Sequence, residues 1–195
     1  MVGRFAQVAV IVGCLAGIAG STATATVMVE VPLPKLVAEA DLVIHGRVVR
    51  TGTQLVRRPD GSLEPHSLTE IRALEVLKGD TRTGAIVTVD EIGGQWQGGG
   101  LRIDGTPGYS HGEEVVVFLE ARMHGYRTYA MAQGKFSVQH GVPGVPSVAR
   151  RDLSSIAIAD VGVDGTSVQP AAAEPVMQLE ALLARVRELS AEGAR

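Results

Sequence analysis

The chain predicts a mainly β fold. The expected form is a small five- to six-stranded OB-like barrel, closed or partly open, with a short N-terminal helix and a C-terminal helix; a β-sandwich is the alternative. Three observations predict it. A first strand carries a glycine on its apolar face, a second strand changes its apolar phase halfway along, and the unbroken run Val115-Val116-Val117-Phe118-Leu119 reads as a strand buried on both faces.

The first 25 residues read as a secretory signal and not as part of the fold. Arg4 is the positive n-region, residues 8–18 are the apolar h-region, and Ala23-Thr24-Ala25 is an A-x-A cleavage pattern. The apolar run is shorter than the roughly 20 residues that a membrane span needs. The expected product is therefore secreted or periplasmic, cleaved after Ala25, with no integral membrane span. The single cysteine, Cys14, follows Ile11-Val12-Gly13 in a loose lipobox, so a lipoprotein anchored at Cys14 is the alternative. Cleavage after Ala25 leaves no thiol, hence no disulfide, no thiolate metal site and no cysteine nucleophile.

Residues 26–159 read as the barrel domain. Pro32 and Pro34 fix an extended entry, and residues 35–40 form a short helix with Leu36 and Val37 on one side. In the strand that follows, Leu42, Ile44 and Val48 share a face with Gly46, and His45 and Arg47 lie on the other. A mid-strand glycine marks a bend or a close backbone approach. Residues 51–65 form a polar connection with a Pro59-Asp60-Gly61 turn. In the second strand Thr69, Ile71 and Ala73 alternate in one phase and Leu74 and Val76 in the other, so a β-bulge is expected near Ala73-Leu74. Lys78-Gly79-Asp80 is a turn, and residues 85–91 form a third strand.

Residues 93–112 hold eight glycines together with Trp96 and Tyr109, and read as a long loop or ragged hairpin with a short strand at 101–103. After the apolar run, His124-Gly125 is a turn, and residues 126–132 and 135–138 read as two strands, or as one broken at Gly134. Residues 160–175, rich in glycine, proline and alanine, read as a linker. Residues 176–192 form an amphipathic helix packed on the barrel, with Pro175 at its first turn and Leu179, Leu182, Leu183, Val186 and Leu189 at helical spacing.

Four blocks carry a family resemblance: "ADLVIHGRV" at 40–48, "EVLKGD" at 75–80, "GEEVVVFL" at 112–119 and "AQGKFSV" at 132–138. They resemble exported bacterial proteins of uncharacterised function, and their order is similar to that of the netrin/TIMP-like OB-fold domains. The resemblance implies a fold more than an activity. It also implies an exported peptidase as one conceivable partner. TIMP-type inhibitors reach a peptidase zinc with an N-terminal cysteine held by disulfides; a chain cleaved after Ala25 has neither.

Composition narrows the chemistry. The net charge is −3, and loss of Arg4 makes the remainder more negative, so a nucleic-acid partner is not expected. Aromatic residues, at 4%, are too few for a base- or sugar-stacking platform. No histidine lies in H-E-x-x-H or a similar close pair, so no metal or cofactor is expected. The pairs Asp90-Glu91 and Glu113-Glu114 sit on strands, point to opposite faces and read as solvated strand ends. No serine has a nucleophile-elbow context. The candidate binding residues are Trp96, Asp104, Tyr109 and His111, on the glycine-rich segment where backbone can approach a ligand. The other reading of that segment is a hairpin whose Trp96 covers one barrel end. The expected function is a non-enzymatic module that binds another exported protein; a metal-dependent or hydrolytic enzyme built from scattered His and Asp residues, and a structural envelope component, are the alternatives.

Overall fold

The computed structural model describes residues 26–162, 165–170 and 176–193. The signal segment, Cys14 and Pro175 lie outside these residues. The chain runs β1 (Thr26–Val29), α1 (Leu33–Glu39), β2 (Leu42–Arg57), β3 (Leu63–Lys78), β4 (Ile86–Ile92), β5 (Gly94–Trp96), β6 (Gly99–Leu101), β7 (Glu114–Arg122) and β8 (Gly125–Thr128). A 3-10 turn (Met131–Gly134) precedes β9 (Lys135–Gln139), β10 (Val148–Arg150), β11 (Ile156–Gly162), β12 (Gly165–Pro170), β13 (Met177–Gln178) and α2 (Leu179–Gly193).

Five strands close a ring in the order β7-β2-β3-β4-β8 and back to β7. All pairs are antiparallel except β4–β8, a parallel contact through Val89 and Tyr126. Counted along the chain, the ring order is 1-2-3-5-4, a Greek-key barrel of the OB type. Closure of the ring decides between barrel and sandwich. β8 and β9 share one edge of β7: β9 pairs with residues 115–117 and β8 with residues 119–122. Between them Ala130 and Met131 take left-handed backbone angles, and the chain turns out of the edge and back.

β7 has no solvent face over its apolar run. Val115, Val117 and Leu119 point into the barrel with Leu42, Ile44, Val48, Ile71, Ala73, Val87 and Val89. Val116 and Phe118 point the other way, onto a helix layer made of Leu36 and Val37 of α1 and Leu179, Leu182, Leu183 and Val186 of α2. Phe118 meets Phe136 with ring centroids 6.0 Å apart. Fully burying a side chain of this size contributes about 1.5–3 kcal/mol, so the five residues of this run are a principal source of stability. The helix α2 is held further by Arg187, whose Nε and Nη2 donate to the two carboxylate oxygens of Glu75 at 2.7 and 2.8 Å.

The glycine and the phase change expected in the first two strands belong to one feature. His45 pairs with Glu75 and Gly46 with Ala73, so Leu74 is an extra residue, a bulge. Leu74 is 38% exposed and is not part of the core face; Val76 returns to the barrel side, and Leu77 goes to the helix layer. At Gly46 the strands approach so closely that a Cβ would lie 2.6 Å from Ile71 Cγ2 and 2.8 Å from the Arg72 carbonyl oxygen.

Two polar stretches are more regular than their composition indicates. Residues 51–65 carry the ends of a long hairpin: β2 and β3 stay paired out to Arg57 and Leu63, around the expected Asp60-Gly61 turn. The span 160–175, expected as a linker, contains the end of β11 and all of β12, which pair with each other, while β1 joins β11 in parallel. Composition distinguishes poorly between a small-residue strand and a linker, because the pairing partner supplies the order. The short strand in the glycine-rich segment lies at 99–101 instead of 101–103, paired with β5. No helix among the described residues is long and apolar enough to cross a membrane.

Gly46→Ala is expected to lower unfolding free energy by about 1–3 kcal/mol, since the added methyl meets backbone as well as a side chain. Urea denaturation checks this; an unchanged midpoint would contradict the close approach.

Candidate functional site

A groove of about 800 Å³ lies beside the barrel rim. One wall is the β2–β3 hairpin, at residues 51–53 and 67–69; another is the chain from Thr106 to Ser110; Asp152 and Ser154 border it, and the β5–β6 hairpin contributes Gly94 and Gln95. The sequence builds the hairpin wall through Gly94. Its φ is +148°, and a Cβ there would lie 2.7 Å from Thr53 Cγ2, so the hairpin can rest on β2 only with glycine at this position.

The four sequence-predicted residues do not converge. Trp96 lies on the β5–β6 hairpin, 40% exposed, with its ring beside Gly99. Tyr109 lines the groove and packs against the barrel core, which is the covering role the alternative reading gave to Trp96. Its hydroxyl is 2.6 Å from Thr128 Oγ1, and the Lys135 ammonium sits 4.7 Å from its ring centroid. Burial, reinforced by the charge of Glu91, pushes ionisation of Tyr109 far above the usual phenol range. Asp104 accepts a bond at its carbonyl from Thr26 Oγ1 at 2.9 Å, and its carboxylate is 3.5 Å from Arg102 Nε. His111 is an exposed turn residue before β7. Trp96, Asp104 and His111 are not among the groove residues.

The polar floor of the groove comes from Glu113, expected as a solvated strand end, together with Lys135 and Ser137, which were not among the expected site residues. Lys135 Nζ lies 2.7 Å from Glu113 Oε1 and also donates to the Gly108 carbonyl. Ser137 Oγ donates to the same Glu113 oxygen at 2.6 Å, and the Ser110 amide donates to Oε2 at 2.9 Å. Burial opposes the charge on Glu113, but the Lys135 and Ser137 hydrogen bonds outweigh it and hold this carboxyl below its usual range. The signal available in sequence was the spacing of Lys135 and Ser137, two residues apart and so on one face of a strand.

The paired acids do point to opposite faces, but they are not open strand ends: Glu91 and Glu114 are buried, and Asp90 and Glu113 are half-buried. Glu114, 7% exposed, turns to the helix-layer side. There its oxygens lie 2.8 Å from His45 Nε2, 2.8 Å from Arg47 Nη2 and 3.2 Å from His140 Nε2. Burial again opposes ionisation, and the Arg47 and His45 hydrogen bonds prevail, keeping its pKa lowered. Asp90 meets His66 Nδ1 at 2.6 Å, while Glu64 lies 3.2 Å from Nε2 of the same ring. Carboxylates on the two different ring nitrogens cannot share one metal ion with that histidine. Among the described residues, no group of three His, Cys, Asp or Glu side chains is arranged to hold a metal. Glu91 turns inward, accepts the Thr128 amide at 2.8 Å, and has its pKa raised, chiefly by burial.

The site therefore offers the paired charges of Lys135 and Glu113, an exposed Asp152 carboxylate held by Ser154, hydroxyls and exposed backbone. Its serine–carboxylate contacts, Ser137 to Glu113 and Ser154 to Asp152, lack an imidazole base. Comparison with protein-family models, with curated proteins and with solved structures finds nothing that matches this chain.

The raised pKa of Glu91 gives a pH test. A carboxyl with a raised folded-state pKa contributes stability fully below its ordinary value of 4.5 and loses it as pH rises through the folded-state value. Glu91→Gln keeps an acceptor for Thr128 and removes the titration. Urea midpoints of the native chain, followed upward from pH 4.5, should fall relative to those of the variant. Parallel profiles would contradict the buried, raised carboxyl.

Proposed function

We propose that this chain is an exported, non-enzymatic module that binds another exported protein through the barrel rim and the segment 93–112. Export rests on the n-, h- and c-region order of residues 1–25. The observation that carries the binding reading is Trp96. A large aromatic side chain stands 40% exposed on a short paired hairpin, next to a groove of about 800 Å³. Tryptophan on a protein surface is the residue type most enriched among interface anchors. Within the groove Lys135 and Glu113 are paired with each other, and the exposed Asp152 carboxylate accepts the Ser154 amide and hydroxyl. The netrin/TIMP-like resemblance makes an exported peptidase the first partner to assay.

Trp96 and Tyr109 now separate as probes. Tyr109→Ala would open the barrel core and tests folding; Trp96→Ala removes an exposed ring and tests binding. In a pull-down from the native exported fraction, followed by titration of the captured partner, Trp96→Ala should weaken binding by about 2 kcal/mol or more, roughly 30-fold in Kd. Its circular dichroism and melting should match the native chain. Equal affinity in the two chains would remove Trp96, and with it this reading of the surface.

A further inference from the structure

His66 on β3 is 8% exposed and faces a carboxylate at each ring nitrogen. Asp90 Oδ1, from β4, lies 2.6 Å from Nδ1, and Glu64 Oε2 lies 3.2 Å from Nε2. Glu64 stands two residues earlier on the same strand, so it shares a face with His66. Asp90 arrives through the β3–β4 register, in which His66 is opposite Ile92 and Leu68 is opposite Asp90. Both carboxylates are themselves largely shielded from solvent. The ring therefore joins two strands, and it does so outside the groove.

A neutral imidazole has one N–H donor and one lone pair; only the imidazolium donates from both nitrogens. With a single ring proton, one carboxylate keeps its hydrogen bond and the other faces a lone pair, and two acceptors repel. Asp90 is the closer of the two. Glu64 is the freer to leave, because it has a second partner, Arg58 Nη1 at 3.1 Å, and the Arg58 side chain is 55% exposed. Arg58 belongs to the turn that closes the β2–β3 hairpin, where its amide donates to the Ser62 carbonyl at 2.9 Å. The other elements around the ring add few charges. β2 places the uncharged Gln54 opposite His66. From the β7–β8 side, Arg127 Nε donates to the Asp90 carbonyl at 3.2 Å, and Arg122 and His124 share a cleft with Asp90 and Arg127. Glu91 is on the other face of β4, with its oxygen on the Thr128 amide.

Histidine is the side chain whose ordinary titration falls between about pH 5 and 8, and His66 sits where losing one proton removes a contact. We infer that His66 is a proton-operated latch on the β2–β3 hairpin. The doubly protonated ring joins Glu64 of the hairpin arm to Asp90 of β4. When one proton leaves to solvent, the ring keeps Asp90 and releases Glu64, and with it Arg58 and the turn at residues 58–62. Donor count sets the direction: the latch is closed at low pH and opens as pH rises through the titration of this ring. Its position gives the opening a consequence. The neighbours of His66 hold the start of the glycine-rich segment: the Gly93 amide donates to the Pro65 carbonyl at 2.8 Å, and Ser67 Oγ donates to the Gly93 carbonyl at 2.8 Å. The latch thus sits at the root of the hairpin that carries Trp96. It does not rest on the binding-module reading, since no partner enters it.

The test follows the ¹⁵N-labelled chain by NMR from about pH 5 to about pH 9. The His66 ring should carry protons on both nitrogens at the low end and on one at the high end. The amide resonances of residues 58–64 should move with the same midpoint as the ring, while those of α2 stay fixed. Glu64→Gln is the decisive variant. A glutamine amide accepts from a ring N–H through its oxygen and donates to a ring lone pair through its nitrogen, so it serves both states of the ring. In that variant the ring still titrates, but the amides of residues 58–64 should move less than about one third as far as in the native chain. His124→Gln should leave the native response intact, because His124 is the other imidazole on the Asp90 side. Four results would each overturn the latch: a ring that holds the same number of protons throughout, a ring that titrates without moving residues 58–64, an equal response in Glu64→Gln, or loss of the response in His124→Gln.

Discussion

The structure depends on one constraint: β7 must be dry on both faces. Its five apolar residues are fully buried, three toward the barrel and two toward the helices. A strand in that position cannot tolerate a polar side chain on either face without a partner, so the layers around it follow. The barrel closes over one face, α1 and α2 close over the other, and β8 and β9 divide its second edge. Where the apolar run stops, at Glu113 and Glu114, the chain passes at once to carboxylates that are still partly shielded. Each is therefore held by several donors. Glu113 is met by Lys135, Ser137 and Ser110, and Glu114 by His45, Arg47 and His140. The groove is thus a consequence of how β7 begins.

Much of this was legible in the residues. The unbroken Val115-to-Leu119 run implied a doubly buried strand, since alternation disappears when both faces are covered. Gly46 and the phase change at Ala73-Leu74 implied a close approach and a bulge, and both occur at the same pair of strands. The spacing of Leu179, Leu182, Leu183 and Val186 gave the buried face of α2. What escaped was order that comes from a partner. β12 and the outer halves of β2 and β3 have loop-like composition, and only pairing makes them strands. The parallel β4–β8 contact that closes the ring is long-range and leaves no local pattern.

The site was legible only in part. Glycine richness and the lone tryptophan did mark the segment that borders the groove, but four nearby residue types were read as one constellation. The structure separates them: Tyr109 is a core residue with a solvent-facing edge of groove, Trp96 stands on the hairpin, and Asp104 and His111 lie apart from the groove. Lys135 and Glu113, 22 residues apart in sequence and joined at 2.7 Å, could not be paired without the β7–β9 register. The bridge from His66 to Asp90 was hidden for the same reason, since Asp90 reaches the ring through the β3–β4 register.

The central claim is that β7 fuses the barrel and the helix layer into one cooperative core. Native-state hydrogen exchange as a function of denaturant measures it directly. The account predicts that the amides of β7 exchange only by global unfolding, and that those of Leu182, Leu183 and Val186 in α2 merge with the same unfolding isotherm as the barrel strands. A separate, lower-energy opening of the helices, with β7 still protected against the barrel, would contradict it.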